Sequence, residues 1–322
     1  MARVLFALVV SAWFSAIGSH GVAAELQYPL AVAAAPDGTI YLADRLLPGI
    51  WKVDKDGHYS LFFEASKKFR TPLNAIRCLA IDHKGRLLAG DSSTRDIYRF
   101  DEGNVPTPLT KGENAGIGIP MAIAVHSSGD IYVADLEIHR IVKVPEAGGR
   151  AVEVAEVPAP RGLWFDKEDR LWIVSHGPDH VLRWTAPPAK TEAPAEGKAD
   201  EAQPDESKPA DAKPAAAKPT DASPVDGTLE PVVKGRPFNF AHHIAVDNDG
   251  NAYIADGYEK ALWKFNGKEV GKVFAGEPLV NPVGVFWTGE KLLVVDPRAK
   301  ALFTLTAENK LEPIPLTPAA AK

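Results

Sequence analysis

The chain has one cysteine in 322 residues, so no intrachain disulfide can form and packed apolar surface must hold the fold. Beyond the first 24 residues, no apolar run approaches the roughly 20 residues needed to cross a bilayer. A dense Lys/Arg stripe is missing, and the formal net charge is -6. Both argue against a nucleic-acid surface, where affinity comes from neutralising phosphates. Several catalytic signatures are missing as well: a Gly-rich phosphate loop, a Gly-x-Ser-x-Gly elbow, a Cys-x-x-Cys pair and a His-Glu-x-x-His helix. What the chain has instead is repetition.

The stretch from Ile119 to Val144 shows the repeating unit most clearly. Ile123 and Val125 alternate with the small Ala122 and Ala124, the period-2 pattern of a strand that lets a neighbouring sheet approach closely. His126-Ser127-Ser128-Gly129-Asp130 forms a turn, and Ile131 to Ala134 a second, β-branched and aromatic strand. Asp135 ends that strand, where its carboxylate can accept amides of the next loop. Ile141 to Val144 and Ala151 to Val157 complete a four-stranded antiparallel meander. The residue ending the second strand recurs as Asp44, Asp91, Asp135, Ser175, Asp256 and Asp296, each followed six residues later by an aliphatic side chain. The interval is 40 to 47 residues, apart from one of 81. A four-stranded unit at that period is a propeller blade, and six units make an all-β, six-bladed β-propeller of four-stranded antiparallel blades.

The unit from Pro120 to Ile141, with Ile123-Ala124-Val125 and Tyr132-Val133-Ala134-Asp135, resembles the NHL-repeat family of propellers. Phe240 to Leu262 matches nearly as well. The unit around Ser175 diverges most, and the unit around Asp296 has a first hairpin one residue shorter. The resemblance spans Tyr28 to about Pro315 and implies distant kinship with gluconolactonase-like propellers. It implies the fold strongly and an activity weakly, since one fold hosts many functions.

Residues 1–24 read as a signal peptide: Met1-Ala2-Arg3, an apolar run from Val4 to about Ile17, then Val22-Ala23-Ala24. A retained anchor is the alternative, but the run is short for one. The mature chain is expected to be a periplasmic or secreted monomer with no transmembrane segment. Residues 25–185 hold blades one to three and most of blade four. Residues 186–228 are almost entirely Ala, Pro, Lys, Glu and Asp, a composition that cannot offset its ordering entropy and reads as a disordered insert. Residues 229–317 hold the last strand of blade four and blades five and six, with a tail over 318–322. Too few residues precede blade one to lend a strand, so blades six and one are expected to join by face packing. Cys78 occupies the small-residue slot of Ala122 and reads as a buried small hydrophobe.

Chemistry in such a fold is expected at one mouth of the central channel, where loops leading into each first strand meet loops leaving each second strand. Arg77 and Arg161 hold equivalent positions on blades two and four, and can offer bidentate donors to an anion or pair with ring carboxylates such as Asp91. His176, His242, His243 and Tyr258 complete the candidate ligand-binding set. His176, His180 and His242 are weak candidates for a zinc site of the kind the amidating-lyase relatives imply. The gluconolactonase-like relatives imply a metal cluster with a carboxylate on the loop into blade one. Here that loop reads Gln27-Tyr28-Pro29-Leu30. The repeated Asp reads as a structural loop cap. The expected function is therefore non-catalytic: a rigid scaffold binding a protein, peptide or glycan at the mouth, with no cofactor and no nucleic acid. A metal-dependent lyase or gluconolactonase-like hydrolase, using zinc or calcium, is the alternative.

Overall fold

The structure is a computed structural model and describes residues 25–68, 70–110, 116–187 and 227–319. The calls on residues 1–24 and on most of the insert, 188–226, lie outside the described residues. Among the described residues no helix is long and apolar enough to cross a membrane.

Six antiparallel blades are present, each starting its four strands at the channel and finishing at the rim. The first strands are Pro29–Ala34, Ile76–Ile81, Pro120–Val125, Pro160–Phe165, Ala241–Val246 and Gly284–Trp287. Blade four takes its outer strand, Thr228–Val233, from beyond the insert, and Thr185 pairs with Thr228. In the third blade's first hairpin Gly129 has φ +92, the left-handed conformation that glycine adopts without strain.

Alternation along the first and second strands sends successive side chains to opposite faces, so each sheet packs on both neighbours. Ala122 and Ala124 of blade three pack with Leu163, Leu171 and Ile173 of blade four. Ile123 and Val133 turn the other way, onto Leu88 and Ile97 of blade two. The same division produces a hydrophobic cluster at each of the six blade junctions. Cys78 is buried in the junction of blades two and three, and burial pushes its thiol up to about 12.

Blades six and one do meet face to face, with Val32, Leu42 and Trp51 packed on Leu293, Val295 and Leu302. A strand supplements this packing. Thr317–Pro318 runs parallel to the outer strand of blade one, His58–Glu64, and makes it five-stranded. The tail therefore latches the ring, which face packing alone did not anticipate. Thr317 and Ala319 donate their amides to the carbonyls of Gly57 and Tyr59. Pro318, between them, needs no donor on an edge strand.

Candidate functional site

The six residues that end the second strands are buried, and five are aspartates. Each aspartate accepts amides from the loop leading into its own blade and from the loop that follows it. Asp135 takes the amides of Gly118, Ile119 and Glu137 at 2.6 to 3.0 Å. Asp256 takes those of Asn239, Phe240 and Glu259. The ring is thus a set of loop caps that fixes the mouth. Blade four departs because Pro158 occupies one donor position and has no N–H. Ser175 fits where an aspartate would not: its hydroxyl donates to the Pro158 carbonyl at 2.7 Å and accepts the Gly177 amide. The amide of Ala159, left over, goes to Nδ1 of His139.

One residue into each of the first five blades, the ladder slips by one residue. Pairing jumps from Ile76 to Cys78, from Pro160 to Gly162 and from Ala241 to His243. Blades one and three slip in the same place. The residues passed over are Leu30, Arg77, Met121, Arg161 and His242. A bulge re-aims the side chain it carries, and all five line one axial cavity of about 170 Å³. Val283, at the corresponding place in blade six, lines it too, as do Tyr28, Arg45, His243 and Asn281. Gly162 permits the arrangement on the blade four side. A Cβ there would lie 2.8 Å from the Cα of His243, so only glycine lets blades four and five close up around Arg161 and His242.

Further in, aromatic side chains reach into the channel. Trp164 and Phe286 meet edge to face, with ring centroids 5.2 Å apart. They belong to the first strands of blades four and six, which are not neighbours, so the contact crosses the channel axis. Trp164 lies three residues beyond Arg161 and Phe286 three beyond Val283, which puts this plug below the mouth.

Electrostatics set the character of the cavity. Arg45, Arg77 and Arg161 face it, and among the described residues none of them has a carboxylate within ion-pairing distance. The pairing with Asp91 does not form, because the Asp91 oxygens are taken by the amides of Leu73, Ala75, Ser93 and Thr94. Arg77 instead donates Nε to the Ser92 hydroxyl at 3.1 Å. Nε of Arg161 is buried without an acceptor. Burial holds the Arg77 guanidinium below its usual range, and Arg45 lowers it further. Burial does the same to Arg161, with Arg77 adding to it. His242 is pushed down to about 3, by burial first and then by Arg161, His176 and His243. His243, pushed down to about 4 by burial, keeps Nδ1 without a partner. Both imidazoles are neutral at physiological pH. The lining residues include no Asp or Glu.

The candidate residues therefore divide. Arg77, Arg161, His242 and His243 share the cavity. His176 and Tyr258 stand one layer back, around Phe240. His176 packs edge-on to that ring at 4.5 Å and bonds the Ala241 carbonyl through Nε2 at 2.7 Å. Tyr258 stacks on it at 4.7 Å, and the Arg161 guanidinium lies 5.1 Å from its centroid. His180 is buried, stacked on Phe238, with its Nε2 accepting from Arg236. His176, His180 and His242 thus do not converge on one point. Among the described residues the only three ligand groups close enough to share an ion are the exposed Asp54, Asp56 and His58. Nor do the cavity residues fit the cluster implied by gluconolactonase-like kinship. That chemistry needs carboxylates, Asp256 is committed to backbone amides, and three arginines oppose a dication.

Among the cavity residues outside the candidate set are Arg45 and Asn281. Arg45 follows a capping aspartate directly. Asn281 precedes blade six, and a Cβ on Gly257 would lie 2.6 Å from its Oδ1 and 2.9 Å from Nε2 of His242.

No family model matches the chain, and no curated protein matches it. Solved structures do. Virginiamycin B lyase from Staphylococcus aureus superposes with a TM-score of 0.59 at 15% identity, over 92% of this chain and 86% of the lyase. A gluconolactonase from Xanthomonas campestris gives 0.64 at 14% identity, over 90% and 87%. A chain of a nidogen/laminin complex gives 0.57 at 15%, over 88% and 91%. At these identities the likeness is one of fold: this chain is a six-bladed β-propeller.

Proposed function

We propose that this propeller is a binding module whose channel mouth takes the anionic group of a peptide, glycan or smaller ligand. The observation that carries the reading is the convergence of Arg45, Arg77 and Arg161 on one axial cavity, with no carboxylate partner among the described residues. Arg77 and Arg161 are half-buried beside the exposed Arg45; desolvated cations are costly unless something neutralises them, and guanidinium forks match carboxylate and phosphate oxygens. The NHL-like units are read as the scaffold that repeats this mouth geometry, and the leader-like residues 1–24 as directing export to the periplasm or beyond. Calorimetric titration with succinate and inorganic phosphate tests the binding. Wild-type protein should bind at least one of them, and an Arg77→Met, Arg161→Met double variant should lose at least tenfold in affinity. Equal heats for both proteins, or none from either, would remove the reading.

Catalysis is a second reading, favoured by His242. It is held neutral beside Asn281 at the cavity, so it could accept a proton there. Turnover of gluconolactone or of virginiamycin B, abolished by His242→Gln, would establish it.

A further inference from the structure

We infer that the ligand of this mouth is an amphipathic anion: an acidic head group on an apolar body. The inference rests on the anion-binding reading and adds the chemistry of the rest of the ligand.

The first observation is the distribution of exposed apolar side chains. Seven large ones are exposed on the described residues. Four of them, Leu61, Val105, Val152 and Leu229, lie on the outer strands or beside them. The other three belong to mouth loops. Leu46 is 62% exposed and follows Arg45; Val280 is 39% exposed and precedes Asn281; Tyr258 is 64% exposed and stacks on the Phe240 ring that Arg161 overlies. They come from blades one, six and five, which are consecutive around the ring.

The second observation lies inside the cavity. The bulged or equivalent positions of blades six and one are Val283 and Leu30, whereas those of blades two and four are Arg77 and Arg161. The apolar arc of the rim thus continues downwards through Val283 and Leu30, bordered by Arg45 of blade one and His242 of blade five, while Arg77 and Arg161 stand on blades two and four with Met121 of blade three between them.

The third is size. A cavity of about 170 Å³ above the Trp164–Phe286 plug is well below the ~300–1,000 Å³ of pockets that enclose whole ligands. It suits a head group. The body must then lie over the rim, where Leu46, Val280 and Tyr258 offer surface that burial would stabilise. A wholly polar anion would use the arginines and leave this arc wet.

The test is competition calorimetry on the mature chain with acetate, butanoate, hexanoate and octanoate below their aggregation limits. Butyl and hexyl phosphate and an N-acetylated leucine dipeptide, with its carboxyl free or amidated, complete the set. Affinity should rise about two- to fourfold per methylene, consistent with partial to full burial of each group. A Leu46→Ser, Val280→Ser double variant, altered only at exposed positions, should flatten that rise while acetate binding holds. The Arg77→Met, Arg161→Met variant should weaken every member of the series. Whether alkanoate, alkyl phosphate or free-carboxyl peptide binds tightest identifies the head and source. If octanoate binds no better than acetate, the amphipathic inference fails while the anion site stands. If the rise persists in the Leu46→Ser, Val280→Ser variant, the apolar contact lies elsewhere and the inference fails. If no anion binds at all, both readings fall.

Discussion

Arg77→Met, which keeps the length of the apolar stem and removes the charge, should raise the stability of the ligand-free protein. Arg77 sits between the other two cations, since Arg45 acts on Arg77 and Arg77 acts on Arg161. At an effective dielectric of about 20, two unit charges roughly 6–10 Å apart repel by about 2–3 kcal/mol. Water at the open mouth reduces each repulsion to about 1–2 kcal/mol. Against the two repulsions relieved stands the hydrogen bond from Arg77 Nε to Ser92, worth about 1 kcal/mol. Ser92 is not orphaned by its loss, because its hydroxyl also donates to the Ala75 carbonyl. Losing the attraction of Asp91 for Arg77 offsets part of the relief, so the net gain is roughly 1–2 kcal/mol, or about 2–6 °C in melting temperature for a domain of this size. The assay is thermal unfolding in a zwitterionic buffer at low ionic strength, repeated with millimolar phosphate. Wild type should gain on adding phosphate and the variant should gain less, so the two curves approach. A variant that melts below wild type in the low-salt buffer would show that the guanidinium is a structural strut, and the uncompensated cluster would be refuted.

Acid should destabilise the fold before its carboxylates titrate. His242 and His243 titrate near 3 and 4 when folded and near 6.5 when unfolded. Below about pH 6.5 the unfolded chain therefore binds protons that the folded chain refuses. Stability should fall by on the order of 1.4 kcal/mol per pH unit for each imidazole until its folded pKa is reached, and His242→Gln should shallow the slope seen in urea unfolding at successive pH values. Asp256→Ala leaves three part-buried amides without their acceptor and should cost roughly 2–4 kcal/mol by denaturant titration. Ser175→Asp, although it restores the repeat, should destabilise by roughly 2–4 kcal/mol, because a carboxylate there would face the Pro158 carbonyl with no amide in its place. Deleting 317–322 removes the two latch hydrogen bonds and should cost about 1–2 kcal/mol in the same assay.

The fold was legible because its cause is periodic. Small and branched side chains at matched spacing, such as Ala122, Ile123 and Ala124, state both which faces pack and how often. The capping role of the aspartates was legible for the same reason. The mouth was legible in part: position along the blade placed Arg77, Arg161, His242 and His243 at one opening. The bulge that passes over Arg77 and Arg161 does not show in a pattern of strict alternation, since it breaks that alternation by one residue at a point the turn chemistry does not mark. The Trp164–Phe286 plug depends on which side chains cross the axis, a property of the closed ring rather than of any blade. The Thr317–Pro318 latch was hidden by its prolines, which read as a terminus and are tolerated because that strand is an edge. His180 could not be excluded from a ligand set until its ring was placed against Phe238.

The most direct measurement is a crystal structure of the protein soaked with hexanoate. It should show the carboxylate within hydrogen-bonding distance of guanidinium nitrogens of at least two of Arg45, Arg77 and Arg161, with the acyl chain lying towards Leu46 and Val280. Hexanoate bound elsewhere, or a mouth in which those arginines have turned to pair with protein carboxylates, would contradict the account.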